Sequence, residues 1–228
     1  MLATHLTPTV AIRELPADLE TPVSVYLKLA GHGPSFLLES VTGGEQVARY
    51  SFIGIHPRAA YVLRGRSLET HIPGHSVEIT NLPEDTDPLD ALRAQLAPHM
   101  TDPGQFIPGL PRFAGGLVGY LGYDTVRFFE PTVGNAPHRH LPDAIFLHAD
   151  TLVAFDHAYG KLILIVNQQT NQPTNGKNSQ SPNHNSPESQ LDALESLLTS
   201  PLPPLSSSPR PLFSPAQTPL RSNMTREQ

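Results

Sequence analysis

The first regular pattern of apolar and polar positions in the chain has the period of a helix. Thr21 and Pro22 are in the order of an N-cap and a first helical residue, where the missing N–H of proline removes no hydrogen bond. Apolar residues follow at i, i+3, i+4 and i+7, namely Val23, Tyr26, Leu27 and Ala30. This spacing predicts a short amphipathic helix that buries that stripe and stops at Gly31.

Leucines at helical spacing predict two further helices. One should start at Asp87 and Pro88, present Leu89, Leu92 and Leu96 on one face, and end near Pro98. The other should span residues 189–198, where leucines stand at positions 191, 194, 197 and 198.

Between the first two helices the apolar positions change to the period of strands. Residues 35–40 and 49–55 are apolar, aromatic and β-branched, and the Gly43-Gly44 turn signal lies between them, so we predict a pair of strands joined by a loop. Residues 59–63 and 76–80 extend the β pattern, the latter with Val77 and Ile79 on one face.

A glycine-rich segment separates these strands from a second β region. Residues 113–122 have the sequence FAGGLVGYLG, too rich in glycine for a stable helix and too long for a turn, which predicts close backbone packing. The sequence of residues 123–130 predicts one or two helical turns. Residues 144–155 and 161–166 predict two apolar strands joined by a hairpin connection at 156–160.

Composition divides the chain into an ordered domain and a polar remainder. We predict a domain over residues 1–166 and a disordered tract over 167–187, where Asn, Gln, Ser, Thr and Pro leave too few apolar groups to offset the entropy of ordering. A short helix over 188–200 and a Pro/Ser-rich linker over 201–221 should follow.

The last residues, 222–228, have the spacing that begins a helix. Thr225 stands three residues before Gln228, as in a capping box, but no apolar run follows. This favours the front part of a longer protein, with 222–228 as the start of its next portion. The alternative is that both residues are simply polar tail residues.

Composition removes several classes of function. The chain has 228 residues, no cysteine and a formal net charge of −6. The missing cysteine excludes disulfides and thiolate metal sites, and an acidic chain without a Lys/Arg block argues against nucleic acid binding. No apolar run reaches the roughly 20 residues of a membrane helix, and no signal-peptide pattern is present. We therefore expect a cytoplasmic protein without membrane contact.

Most candidate chemical motifs are incomplete. Pro-Gly interrupts the pair His71 and His75, and neither that pair nor His138 and His140 has a third ligand at a recognisable spacing, so we predict no metal site in this chain. No G-x-S-x-G elbow surrounds Ser40, and the glycines form no phosphate-binding loop.

One remaining group suits an amino-acid ligand. Glu39 and Ser40 lie at a strand end, opposite Arg49 on the next strand, and together they offer an acceptor for an ammonium group and donors for a carboxylate. The alternative from residue types alone is a solvated strand-end carboxylate and a serine in a turn.

Four motifs in series resemble a known family. FLLES, GGEQVARYSFIG, FAGGLVGYLGYDTVRFFE and SNMTREQ, in this order and spacing, resemble anthranilate synthase component I. The resemblance covers residues 22–155 and returns at 222–228. It implies an α+β fold of antiparallel β-sheets with flanking helices, the N-terminal part of a two-lobed protein whose C-terminal half builds the chorismate and Mg²⁺ site.

The resemblance also implies which residues would bind a ligand. The family's LLES motif carries the feedback site for L-tryptophan and maps onto Leu37, Leu38, Glu39 and Ser40, with Arg49 and Tyr50 as neighbours of the pocket. Catalytic residues and Mg²⁺ ligands are not expected in this chain, which alone should be inactive and bind no cofactor. The whole enzyme would be a lyase of tryptophan biosynthesis that forms anthranilate and pyruvate from chorismate, with ammonia from a glutamine amidotransferase component II.

Two other functions remain open at the level of sequence. Aminodeoxychorismate synthase component I shares the glycine-rich segment, although LLES and RYSFIG favour anthranilate synthase. The chain could also be a free-standing amino-acid-binding module with a Pro/Ser tether.

Overall fold

The computed structural model describes residues 7–40, 49–96, 109–130, 132–133, 141–170 and 186–203. Its elements in chain order are β1 (Thr7–Pro16), α1 (Pro22–Leu29), β2 (Phe36–Leu38), β3 (Tyr50–Ile55), β4 (Ala60–Arg64), β5 (Ser67–His71), β6 (Glu78–Asn81), α2 (Pro88–Leu96), β7 (Gly116–Leu121), a 3-10 helix (Tyr123–Phe128), β8 (Ala144–Ala149), β9 (Thr151–Asp156), β10 (Lys161–Thr170) and α3 (Pro187–Thr199).

Within the described residues the strands form two five-stranded sheets. The first sheet has the order β1-β10-β9-β3-β2, and the second sheet has the order β6-β5-β4-β8-β7. Every neighbouring pair is antiparallel. The predicted α+β class, with antiparallel sheets and flanking helices, is confirmed.

The first sheet is packed on both of its faces. Helices α1 and α3 cover one face through Val25, Leu29 and Leu194, against strand residues such as Leu164. Leu110 and partly buried aromatic residues lie with the strand residues of the other face. β9 is consequently buried at every residue, which explains why its sequence is a continuous apolar run rather than an alternating one.

Helix α1 begins as predicted but buries a different face. The Thr21 hydroxyl accepts a hydrogen bond from the Ser24 N–H, and the Ser24 hydroxyl oxygen accepts one from the Thr21 N–H, which completes a capping box. The predicted stripe was wrong at Val23 and Leu27, which are exposed, because Val25 and Leu29 point to the core instead. Both stripes have helical spacing, and the contact with β3 and α3 selects between them.

The apolar stretch 144–155, predicted as one strand, is two strands in different sheets. β8 belongs to the second sheet and β9 to the first, with Asp150 between them. The Asp150 carboxylate pairs with Arg58, and its carbonyl oxygen accepts from the Asn167 N–H at 2.8 Å. These bonds fix the step from one sheet to the other.

The second sheet contains a strand that the pattern missed and one that it misplaced. β5 has the sequence SLETH, whose single apolar residue, Leu68, gives too weak a signal to predict a strand. β6 starts at Glu78 rather than 76, and its four residues are exposed. Val77 and Ile79, predicted to share a face, are 48% and 61% exposed and do not form a buried face.

The glycine-rich segment forms the edge strand β7. A Cβ at Gly119 would overlap the carbonyl oxygen of Ile145 on β8, so the close backbone packing predicted for this segment is confirmed. The 3-10 helix follows, where helical turns were predicted. Its residue Arg127 donates to the Asp143 carboxylate at 2.7 Å, which ties it to the second sheet.

The described residues test two other predictions in part. β10 continues to Thr170 and pairs with β1 along its length, so residues 167–170 are strand, although they were assigned to the polar tract. Helix α3 lies where the leucine spacing indicated one. Residues 171–185 and 204–228, including Thr225 and Gln228, lie outside the described residues, so the predicted domain division and capping box stay predictions.

Candidate functional site

The candidate site lies at one end of the first sheet, where β2 ends and β3 begins. β2 pairs with β3 as far as Leu38, which is opposite Phe52. Continued in that register, Ser40 would lie opposite Tyr50, but its N–H instead donates to the side-chain oxygen of Ser51 at 3.0 Å. The fold therefore brings together the two motifs that the sequence analysis singled out.

The hydroxyl of Ser51 connects Ser40 to the turn that follows β9. Ser51 is fully buried, and its Oγ lies 2.8 Å from Nε2 of His157 in the turn between β9 and β10. The His157 N–H donates to the Arg49 carbonyl oxygen at 2.9 Å, and its ring lies 4.7 Å from that of Phe155. A continuous chain of contacts thus runs from the turn to Ser40.

An ion pair between the partly exposed Arg49 and the buried Asp156 stabilises the same end of the sheet. Arg49 donates from Nε and Nη2 to the two carboxylate oxygens of Asp156, at 3.0 and 2.6 Å. Its guanidinium also lies 4.7 Å from the ring centres of Tyr50 and Tyr159, a distance typical of cation–π contacts. The bidentate pair ties the start of β3 to the end of β9.

The pKa values of this cluster follow from that pairing. Burial alone would raise the pKa of Asp156, but the hydrogen bonds and charge of Arg49 and the N–H groups of Ala158 and Tyr159 outweigh it and lower that pKa. The hydrogen bonds to Asp156 raise the pKa of Arg49. Burial and then the Asp156 charge raise the pKa of Tyr50, against the opposing charge of Arg49. The pair is therefore ionised at neutral pH.

The predicted binding residues divide into exposed and anchored positions. Leu38 and Glu39 are exposed, and Glu39 makes no hydrogen bond or ion pair with a described residue. Ser40 is partly buried and anchored through its backbone. Asp156 binds Nε and Nη2 of Arg49, so that edge of the guanidinium is not open to a ligand carboxylate, and the role of Arg49 as a pocket neighbour stays a prediction.

Sequence reasoning missed three residues of this cluster. Asp156, His157 and Tyr159 lie in the segment that was interpreted only as a hairpin connection. A carboxylate directly after four apolar strand residues was the available signal. A charge at that position is buried unless the strand has ended, and a buried charge requires a cation.

Among the described residues, no three His, Asp or Glu side chains are grouped in a way that could hold a metal ion. His71 contacts Glu69 at 3.3 Å, and His75 contacts the Pro73 carbonyl, while His138 and His140 lie outside the described ranges. In the part of the chain that is described, no helix is both long and apolar enough to cross a membrane.

Comparison with curated proteins finds relatives of one name. Anthranilate synthase component 1 of Pseudomonas putida is 40% identical over 153 residues, which cover 66% of this chain and 30% of the relative. The protein of that name from Acinetobacter calcoaceticus is 36% identical over 193 residues, which cover 83% of this chain and 37% of the relative. The probable anthranilate synthase component 1 of Schizosaccharomyces pombe is 43% identical over 155 residues, 66% of this chain and 27% of the relative.

The chain thus spans only about a third of the length of these relatives, from 27% to 37%. A crystal structure of anthranilate synthase component I from Streptococcus pneumoniae aligns with 81% of this chain and 35% of that chain, with a TM-score of 0.46 and 24% sequence identity. That likeness is too weak to support an argument. No family model matches the chain.

Proposed function

The chain is related in sequence to the N-terminal region of anthranilate synthase component I, and we propose that it is the regulatory part of such an enzyme, with part of a feedback site for L-tryptophan. The complete enzyme would convert chorismate and ammonia to anthranilate, pyruvate and water in the cytoplasm. A glutamine amidotransferase component II would supply the ammonia. The observation that carries the proposal is the identity of 36–43% to proteins of that name over 66–83% of this chain.

The geometry of the sheet end supports the placement of the tryptophan site. Ser40 lies at the end of β2 with its backbone anchored, and Leu38 and Glu39 beside it are exposed. An exposed carboxylate is an acceptor for the ammonium group of an amino acid, and an exposed leucine is an apolar surface for its side chain. The other wall of the pocket would come from residues outside this chain.

Catalysis is assigned to the remainder of the enzyme. The described residues lack a group of carboxylates or histidines that could hold Mg²⁺, and we place its ligands, together with the chorismate site, outside this chain. Inhibition is then a coupling free energy between two distant sites, about 1–3 kcal/mol if it is of ordinary size. The 228 residues alone should form no anthranilate.

The test is an assay of the product of the complete reading frame that contains this chain. We expect anthranilate from chorismate, ammonia and Mg²⁺, detected by fluorescence, and progressive loss of activity as L-tryptophan is added. Ser40→Phe should raise the inhibitory concentration of tryptophan at least about tenfold while turnover remains, because the larger side chain fills the pocket edge. Ser76→Phe, at an exposed position two residues before β6, is the matched control.

Three results would contradict the proposal. Formation of 4-amino-4-deoxychorismate instead of anthranilate would assign the chain to the aminodeoxychorismate branch. Unchanged inhibition in Ser40→Phe would remove Ser40 from the site. Saturable one-site binding of L-tryptophan to the isolated 228 residues, measured by calorimetry, would favour a self-sufficient amino-acid-binding module.

A further inference from the structure

We propose that Ser51 and His157 are positioning residues of the amino-acid site, and that they hold Ser40 in place from behind without touching the ligand. The inference rests on the proposed function, because it concerns the same site. It adds two residues outside the LLES motif, one of them on a turn about a hundred residues later in the chain.

The first step of the argument is the way β2 ends. Backbone pairing with β3 stops at Leu38, so the ladder does not fix the backbone of Ser40. The side chain of Ser51 replaces the ladder there, since its Oγ accepts the Ser40 N–H at 3.0 Å. The position of Ser40 thus depends on a side-chain hydrogen bond, which a single substitution can remove.

The second step is the hydrogen-bond requirement of the Ser51 hydroxyl. Its oxygen accepts from Ser40, while its O–H needs an acceptor, and water cannot supply one because Ser51 is 0% exposed. Nε2 of His157 lies 2.8 Å away, and we assign it as the acceptor, in the tautomer whose ring proton is on Nδ1. The imidazole thereby fixes the orientation of the hydroxyl that holds Ser40.

The third step is that His157 itself is held firmly although it lies on an exposed turn. Its backbone N–H bonds to the Arg49 carbonyl oxygen, and its ring packs against that of Phe155. Asp156, next to it, is locked to the Arg49 side chain. The arrangement is a rigid support for Ser40, which makes no other hydrogen bond with the described residues.

The experiment measures tryptophan inhibition of the complete reading-frame product in four variants. Ser51→Ala removes the acceptor for Ser40, and His157→Phe keeps a ring against Phe155 but removes Nε2. Ser51→Thr retains a hydroxyl, and His157→Gln retains an acceptor. We expect the two disruptive variants to raise the inhibition constant about tenfold, the value of one hydrogen bond, and the two conservative variants to restore most of it.

Thr151→Val is the matched control, because it removes a buried hydroxyl from the opposite end of β9 in the same sheet. It should leave the inhibition constant unchanged. Turnover without tryptophan and the melting temperature are measured for every variant. General destabilisation would lower turnover together with inhibition. A loss of inhibition that exceeds any loss of turnover, and that the conservative variants rescue, therefore indicates a specific effect on the site.

The outcomes separate this inference from the proposed function. If the parent protein is not inhibited by tryptophan, the proposed function fails. If the parent is inhibited but both Ser51→Ala and His157→Phe retain its inhibition constant, the positioning role is wrong while the site stands. Should Ser51→Ala fail to fold, His157→Phe and His157→Gln decide the question, since position 157 is exposed and tolerates substitution.

Discussion

The two sheets have the same number of strands and the same antiparallel pairing, but they differ in how they are covered. In the first sheet β9 is buried at every residue, and helices α1 and α3 pack on one face. In the second sheet β6 is exposed at every residue, and the described side chains around Tyr61, Leu63 and Leu92 form one buried cluster. The first sheet should therefore be the more stable and more rigid unit.

This difference in coverage explains where the fold can hold the residues of a binding site in place before a ligand binds. The candidate site lies at an end of the doubly covered sheet, so the strands that carry Ser40, Ser51 and Asp156 cannot shift without opening a packed core. A ligand site on the second sheet would lack that support. Stability measurements on matched variants of the two sheets test the comparison directly.

The largest expected effect is loss of a core side chain from the first sheet. Leu164→Ala, at a fully buried position, should lower the free energy of unfolding by about 2–5 kcal/mol through lost burial and the cavity that remains. Ile79→Ala, at a residue of the second sheet that is 61% exposed, should cost less than about 0.5 kcal/mol. Urea denaturation measures both, and equal losses would contradict the contrast.

A smaller and local effect is expected at the glycine edge of the second sheet. Gly119→Ala forces a Cβ against the Ile145 carbonyl and should cost about 1–3 kcal/mol. Gly33→Ala has open space around the added carbon and is the control. Hydrogen exchange should accelerate in β7 and β8 and stay unchanged in β9 and β10; faster exchange in the first sheet would mean that the two sheets open together.

The ion pair between Arg49 and Asp156 should make the stability of the first sheet sensitive to acid. The second sheet does not contain this pair. The pKa of Asp156 is lower folded than unfolded, so its contribution to stability is complete above its unfolded pKa of about 3.9 and is lost as the pH falls below that value. Asp156→Asn should cost about 1–2 kcal/mol at pH 7 and less at pH 3. Unfolding free energies of the parent and of Asp156→Asn at the two pH values test this prediction. An equal loss of stability at pH 3 and pH 7 would contradict it.

The smallest effects are expected at the helix caps. Thr21→Ala in α1 and Asp87→Ala before α2 each remove one side-chain bond to a helix N–H and should cost about 1 kcal/mol. Similar values in thermal unfolding would show that caps act locally, whichever sheet the helix covers. A Thr21 effect several times larger would indicate that the site sheet depends on α1 for its order.

The sequence predicted those elements whose patterns depend on local rules. Thr21-Pro22 and Asp87-Pro88 marked the starts of α1 and α2 because capping involves only neighbouring residues. β5 could not be predicted, since the pairing of SLETH depends on β4 and β6 on its two sides rather than on its own composition.

Only the part of the candidate site at the end of β2 and the start of β3 could be predicted from the sequence. Leu38, Glu39, Ser40, Arg49 and Tyr50 came from two motifs that are close together in the sequence. Asp156 and His157 join them through the pairing of β3 with β9, a contact between residues about a hundred positions apart that no local pattern encodes. The same pairing gives Arg49 a partner in Asp156, while its role as a neighbour of the pocket stays a prediction.

The long antiparallel match between β1 and β10 has a consequence for how the polypeptide is made. Thr7 pairs with Thr170 and Pro16 with Lys161, so β1 cannot find its partner until β10, much later in the chain, has been synthesised. Sequence-distant pairing of this kind slows folding. During translation the first sheet thus stays open until residue 170 has emerged, whereas the β4–β5 hairpin can close as soon as it is synthesised.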